Sequence, residues 1–167
     1  IRGGKEPGWF QWWMLPVFVS ILTWLLFHHV LFIGFVPTES MEPTLSDGDG
    51  VLLNRLGTGL FSLKSGKLVA FLPGGSEDAS PSIKRVIAVP HDTIRIENGA
   101  IYVNGSLYEE GMASDYIEEA GLAASELTLG DDEYFVMGDN RGNSTDSRII
   151  GEVCDEDIKG STNFSIL

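Results

Sequence analysis

The feature that most constrains this chain is an uninterrupted stretch without charge, WFQWWMLPVFVSILTWLLFHHVLFIGFV, residues 9–36. Its 28 residues contain no Asp, Glu, Lys or Arg. About 20 residues suffice for a helix to cross the hydrocarbon core of a bilayer. All four tryptophans of the chain lie in this stretch, three of them near its N-terminal end, as in an interfacial aromatic belt. The sequence therefore predicts one N-terminal transmembrane helix over residues 9–36.

The charges on either side of this stretch predict its orientation. Arg2 and Lys5 precede it, whereas acidic residues follow it from Glu39 onward. The positive-inside tendency then makes residues 1–8 a cytoplasmic stub and residues 37–167 an extracytoplasmic domain on a single-pass plasma-membrane protein. A cleavable signal peptide is the alternative, but its apolar region spans about 7–15 residues and ends at a small-x-small site. The observed stretch is longer and has no such site at its end.

Net charge and cysteine content exclude several functional classes. The chain carries a net charge of −13; residues 1–36 contribute +1, so residues 37–167 carry −14. Such an acidic domain is unsuited to nucleic acid or to anionic lipid headgroups, so apolar burial must hold the protein at a membrane. The single cysteine, Cys154, excludes an internal disulfide and a cysteine-based metal cluster. We predict no cofactor and no metal.

The remainder of the chain has the pattern of a β protein. Short β-branched or aromatic runs are bounded by Gly, Asp, Asn or Pro. The runs are DGDGVLLNRL, GKLVAFLPGG, SIKRVIAVPHD, TIRIENGAIYVNG and DEYFVMGDN. The residues from Ser114 to Ser125 are compatible with a short helix or a long loop. The sequence predicts a single, mostly antiparallel barrel or sandwich of short strands over residues 37–167.

Among the residues that could act as a general base, the histidines are poorly placed in the sequence and one lysine is well placed. Two of the three histidines lie in the apolar stretch and the third, His91, lies in a polar turn, which argues against a Ser-His-Asp triad. Lys84 instead opens the apolar run IKRVIAV, where strand alternation places it on the face of Val86. Desolvation there favours the neutral amine, which can accept a proton from a serine. A strand lysine that extends its ammonium group to solvent is the alternative from the residues alone.

The last polar cluster is GDNRGNSTDSR, residues 138–148, directly after a predicted strand. Its composition is typical of a tight turn whose side chains bond to the backbone. Its acidic spacing faintly resembles a calcium loop, but Ile150 stands where an EF-hand loop ends in glutamate.

Three segments in this order after an N-terminal anchor resemble the type I signal peptidases of bacteria. SMEPTL resembles that family's nucleophile motif, KRVIAVPHD its general-base motif and GDNRGNSTDSR its C-terminal signature, while GKLVAF resembles a structural strand between them. The resemblance extends from the anchor to about Gly151. It implies a signal-peptidase/LexA-like antiparallel β fold of short strands, preceded by the transmembrane helix.

The resemblance also implies a role for each matching residue. Ser40 would be the nucleophile and Lys84 the general base, with Thr38 and the Ser40 amide forming the oxyanion hole. Ser144 would bond to Lys84 and orient it. Four charged residues would support the site: Asp139, Arg141, Asp146 and Arg148. Three apolar residues are predicted to line the substrate pockets: Val36, Met41 and Ile83.

Three departures from the family's usual motifs, at His91, Gly142 and Lys67, leave the dyad untouched; like Gly142, Lys67 stands where an acidic residue is common. His91 stands where the family usually has a turn glycine, so it is expected to need an unusual backbone angle. Gly142 stands where an acidic residue is common.

The predicted activity is removal of signal peptides from secreted preproteins after an Ala-x-Ala site. The partners would be the preprotein, which would add as an extended strand beside Ser40 and Lys84, the lipid bilayer and the secretion translocon. The alternatives are a membrane-anchored β module that only binds, and an inactive paralogue of the peptidase. A self-cleaving Ser-Lys protein of the LexA repressor type is disfavoured by the anchor and the acidic charge.

Overall fold

The computed structural model describes residues 9–55, 63–76, 79–109, 116–162 and 165–166, and the account below concerns these residues. A helix, α1, spans Trp9–His29 and is followed at once by a strand, β1, over Leu31–Phe35. The prediction of one helix through Val36 is therefore wrong at its C-terminal end. The last part of the apolar run has a β partner elsewhere in the chain, a contact that hydropathy alone does not reveal. Among the described residues, no helix combines the length and the apolar character needed to cross a membrane.

The larger of two sheets contains eight strands, and all its described pairings are antiparallel. Its strand order is β1-β2-β11-β3-β4-β9-β10, with β12 also pairing with β2. The strands after β1 are β2 (Gly50–Asn54), β3 (Leu68–Phe71), β4 (Ser82–Ala88), β9 (Glu133–Met137), β10 (Val153–Cys154), β11 (Ile158–Thr162) and β12 (Ser165–Ile166). Strand β4 lies inside this sheet between β3 and β9, which explains why five of its seven residues are buried.

The smaller sheet has four antiparallel strands in the order β7-β6-β5-β8. They are β5 (Thr93–Glu97), β6 (Ala100–Val103), β7 (Ser106–Leu107) and β8 (Leu127–Thr128). Its two hairpins turn at Asn98-Gly99 and Asn104-Gly105, and all four residues have positive φ. Both Asn-Gly pairs, a common sequence signal for hairpins, thus have the backbone that two-residue hairpin turns matching strand twist require.

Short helices complete the chain. One is α-helical, α2 (Ser147–Ile150), and the others are 3-10 turns over Glu39–Met41, Pro73–Gly75, Gly121–Ala124 and Asp155–Asp157. The Gly121–Ala124 turn falls in the segment predicted as a short helix or a loop, although residues 114–115 lie outside the described residues. His91 has φ of 70°, which confirms the unusual angle expected where the family has glycine.

The core consists of three buried apolar clusters rather than one. The cluster nearest the N-terminal strands contains Val36, Met41, Leu45, Val51, Leu53, Leu68, Ala70 and Ile83. A second lies between β4 and β9 and a third joins β4 and β9 to the smaller sheet. The prediction of a mostly β, antiparallel fold of short strands is confirmed.

Candidate active site

Ser40 is positioned by the apolar residues on either side of it. The chain is extended at Thr38 (φ −151°, ψ 158°) and then closes into the 3-10 turn Glu39–Met41. Val36 and Met41 are 1% and 0% exposed and belong to the same core cluster, so the segment between them is fixed at both ends. Ser40, held between these two anchors, is only 6% exposed.

Lys84 reaches Ser40 from the interior of the larger sheet. It pairs with Val69 across the β3–β4 ladder and is 5% exposed. Its Nζ lies 2.6 Å from Ser40 Oγ, and Thr38 Oγ1 donates a hydrogen bond of 3.0 Å to the same Ser40 oxygen. The structure therefore brings together three side chains that the sequence predicted as catalytic, two of them separated by 44 positions.

The surroundings of Lys84 favour its neutral form. Burial lowers the pKa of the Lys84 amine below its ordinary value of 10.5, and the negative charges of Asp146 and Asp139 act against this by raising it. Desolvation is the larger of these effects. A neutral amine within hydrogen-bond distance of a hydroxyl can remove its proton, which is the requirement for activating a serine nucleophile.

The loop after β9 covers the back of Ser40. The amide of Asn140 donates to the Ser40 carbonyl at 3.1 Å, and Asn140 Nδ2 donates to the Glu39 carbonyl at 3.1 Å. Gly138 makes the approach possible: an added Cβ would lie 2.2 Å from Ser144 Oγ and 2.5 Å from the Ser40 carbonyl oxygen. No role was predicted from the sequence for Gly138 or Asn140. The only available signal was their place in a glycine- and asparagine-rich turn directly after a strand.

Two ion pairs hold this loop in place. Arg85 Nε and Nη2 donate to the two carboxylate oxygens of Asp139 at 2.8 and 2.5 Å. Arg148 Nε and Nη2 donate to the two oxygens of Asp146, both at 2.9 Å. Asp146 also accepts from the Gly138 amide at 3.0 Å, so it joins the start of the loop to its end. Strand alternation places Arg85 on the opposite face of β4 from Lys84, and its partner was not foreseeable without the β4–β9 register.

Arg141, the fourth predicted supporting residue, is also buried. It is 4% exposed, and its Nη1 lies 3.8 Å from Met137 Sδ.

Ser144 is adjacent to the site, but the bond predicted for it is not present. Its Oγ is buried and has no hydrogen-bond partner among the described residues. Lys84 Nζ is instead bonded to Ser40. The hydroxyl of Ser144 nevertheless lies against Gly138, next to the Ser40 carbonyl.

The three residues predicted to line substrate pockets are core residues in this structure. Val36, Met41 and Ile83 are 1%, 0% and 4% exposed and all belong to one cluster. They lie beneath and beside the dyad, so their contact with a substrate stays a prediction. Within the described ranges, no group of three or more His, Cys, Asp and Glu side chains is arranged to hold a metal ion.

Comparison with known proteins connects this geometry to one family. The family model described as "Signal peptidase, peptidase S26" matches residues 9–167. "Signal peptidase I" of Bacillus amyloliquefaciens is 33% identical over 161 residues, covering 91% of this chain and 85% of that protein. "Signal peptidase I T" of Bacillus subtilis (strain 168) is 33% identical over 162 residues, with 91% and 82% covered. The crystal structure of a signal peptidase I from Enterococcus faecalis V583 superposes with a TM-score of 0.51 at 25% identity, covering 63% of this chain and 100% of that one.

Proposed function

The chain belongs to the signal peptidase family, peptidase S26, and on that premise we propose that it is a membrane-bound serine endopeptidase that removes N-terminal signal peptides from secreted preproteins. The cut would follow a small-x-small site, typically Ala-x-Ala. The observation that carries the proposal is the 2.6 Å contact between Lys84 Nζ and Ser40 Oγ, since both side chains are buried and that lysine has a lowered pKa.

In the proposed mechanism, Ser40 Oγ attacks the scissile carbonyl carbon while neutral Lys84 takes the hydroxyl proton. The developing oxyanion is stabilised by the Thr38 hydroxyl and the Ser40 amide. Thr38 Oγ1 is already 3.0 Å from the nucleophile, and the amide lies in the first turn of a 3-10 helix, where amides lack acceptors within their own helix. Lys84 then gives the proton to the leaving amine, and water hydrolyses the acyl-enzyme by the same route in reverse.

The N-terminal stretch would hold this site at the membrane surface. We propose that the part of this stretch that forms α1, Trp9–His29, anchors the protein in the plasma membrane with the N-terminus in the cytoplasm and the β domain outside. The anchor would act together with the bilayer and the secretion translocon to present the preprotein. Support comes from the sequence: a 28-residue stretch without Asp, Glu, Lys or Arg precedes Ser40 by only four positions. A signal peptide's own cleavage site lies at the same interface, so the nucleophile and the scissile bond would share one depth.

The test is cleavage of a preprotein with an Ala-x-Ala site in detergent or lipid by the wild type, Ser40→Ala, Lys84→Arg and the control Ser46→Ala. The control is matched because Ser46 is exposed and lies six positions from Ser40. Cleavage after the second Ala by the wild type and Ser46→Ala, but not by the other two, is the expected result. Arginine does not deprotonate at usable pH, so activity in Lys84→Arg would exclude Lys84 as the base. A folded wild type that cleaves nothing would favour a binding module or an inactive paralogue.

A further inference from the structure

A cleft next to the dyad has no part in the mechanism described so far. Its volume is about 460 Å³, and it lies between the segment 116–121 on one side and the segment 141–149 on the other. We refer to it as the 116–149 cleft. Its lining includes Tyr116, Glu118, Glu119, Arg141, Ser144 and Arg148.

The two walls of the 116–149 cleft are held at a fixed separation. At one end the walls touch through backbone: a Cβ on Gly121 would lie 2.1 Å from the Arg148 carbonyl oxygen, and Gly121 has φ of 55°. The Tyr116 ring in one wall lies on Gly99, where an added Cβ would be 2.2 Å from the ring. Because the contact at Gly121 is with backbone, the end of the cleft near Gly121 is built into the fold.

The cleft adjoins the loop that contacts the nucleophile. Ser144 lines it, and Ser144 Oγ and the Ser40 carbonyl oxygen both lie within 2.5 Å of the same added Cβ position on Gly138. Because Lys84 returns its proton to the leaving amine, that amine must face Lys84 rather than the oxyanion donors. Asp139 and Asp146, whose negative charges act on Lys84, belong to the same loop as Ser144. The cleft thus borders the loop that neighbours both members of the dyad.

The charged side chains that the cleft exposes to solvent are acidic. Glu118 and Glu119 are both exposed, and neither forms an ion pair or hydrogen bond with another described residue. The two arginines in the wall are 4% and 6% exposed, and Arg148 is bonded through Nε and Nη2 to Asp146.

We propose that the 116–149 cleft binds the preprotein segment just C-terminal to the cut, and that Glu118 and Glu119 make it prefer a basic side chain there over an acidic one. This rests on the proposed peptidase activity. It assigns a second specificity determinant, separate from the small residues that precede the cut. The preference arises from exposed carboxylates, so added salt weakens it.

The experiment uses the full chain in detergent and three peptides that share one Ala-x-Ala segment. They carry Lys, Gln or Glu at the second to fourth positions after the cut. The measured quantity is the ratio of kcat/KM for the Lys and Glu peptides. The wild type is compared with Glu118→Gln/Glu119→Gln and with the control Glu109→Gln/Glu126→Gln, which removes two exposed carboxylates outside the cleft. Binding of the same peptides to Ser40→Ala, by fluorescence anisotropy, gives a readout independent of catalysis.

We expect the ratio to favour Lys and to fall roughly threefold to tenfold in the cleft variant, the range for one or two exposed ion pairs. It should change less than twofold in the control, and about 0.5 M NaCl should reduce the wild-type ratio. An unchanged ratio in the cleft variant, or an equal fall in the control, overturns the inference while leaving the peptidase activity intact. If no peptide is cut but Ser40→Ala binds Lys peptides better through Glu118 and Glu119, the activity is refuted and with it the assignment to the segment after the cut, whereas the cleft's preference for basic peptides stands.

Discussion

Gly138 gives the sharpest test of the site, because one added methyl group there meets the nucleophile's own backbone. In Gly138→Ala the new Cβ would lie 2.2 Å from Ser144 Oγ, 2.6 Å from Ser144 Cβ and 2.5 Å from the Ser40 carbonyl oxygen. Side-chain Cβ atoms in proteins essentially never approach another heavy atom closer than 3.0 Å. The backbone of Gly138 is not left-handed, so the contact alone, and no torsional strain, makes alanine unfavourable.

The size of the effect follows from how far Ser40 has to move. Restoring a 3.0 Å separation displaces the Ser40 carbonyl by about 0.5 Å, away from the amide of Asn140 that holds it. A misplacement of 1 Å costs roughly 100-fold in rate, so we expect kcat/KM to fall about 10- to 100-fold. Overpacking in a closed site should lower the free energy of unfolding by about 1–3 kcal/mol.

The assay is kcat/KM on an Ala-x-Ala peptide together with thermal unfolding, for Gly138→Ala and the control Ser46→Ala. Ser46 is exposed and lies outside the 116–149 cleft. We expect Ser46→Ala to stay within about twofold of the wild type. Wild-type activity in a folded Gly138→Ala variant would refute the view that this loop sets the position of Ser40.

Three further expectations concern other side chains. Thr38→Val removes one oxyanion donor and should lower kcat about 10²- to 10³-fold. Tm should change little because Thr38 is exposed. Thr38→Ser should recover most of the lost kcat, and a kcat near wild type in Thr38→Val would exclude Thr38 as an oxyanion donor. Burial lowers the pKa of Lys84 below 10.5, and only the neutral amine is a base, so kcat/KM should rise with pH through that lowered pKa. A value of kcat/KM that does not change between acidic pH and pH 10.5 would contradict this. Asp155→Asn should raise Tm at pH 7, because burial and Asp132 raise the pKa of Asp155 and the ionised form is disfavoured in the folded state. The gain should vanish as the pH falls below 3.8, where the carboxyl is protonated in both states, and a gain that persists there would point to another cause.

The strands that the sequence predicted are those with a side-chain period and clear ends. Strand β5 alternates from buried Ile94 to exposed Arg95 to buried Ile96, and an Asn-Gly turn ends the following strand. Strands β7, β8, β10 and β12 have two residues each, too few to show any period. Their pairing is set by the strands beside them and not by their own composition.

The boundary between α1 and β1 shows that hydropathy alone cannot separate a helix from an adjoining apolar strand. Leu31–Phe35 is as apolar as the helix before it, so hydropathy assigns it to the same element. Its identity as a strand depends on five residues of β2, which pair with it from Leu31↔Asn54 to Phe35↔Gly50. That contact is non-local, and an apolar run of this length fits either element.

The sequence predicted those site residues that belong to a recognisable motif, but not the residues that hold them in place. Ser40, Thr38 and Lys84 were each identified by a local motif, and the fold places Thr38 Oγ1 3.0 Å and Lys84 Nζ 2.6 Å from Ser40 Oγ. The partners that hold them come from the register of β4 on β9, which pairs Arg85 with Met137 and so places Asp139 within its reach. No local pattern contains that register.

The pairing of both buried carboxylates with arginine bears directly on the general base. A lysine among apolar strands loses its proton more easily through desolvation, but two carboxylates beside it would restore the charged form. Asp139 is bonded to Arg85 and Asp146 to Arg148, so each negative charge that acts on Lys84 is accompanied by a positive one. The field of such a pair falls off faster than that of a single charge, so desolvation is left as the larger effect on Lys84. The two arginines thus do more than hold the loop: they let buried aspartates fix the backbone at Gly138 without keeping the base protonated.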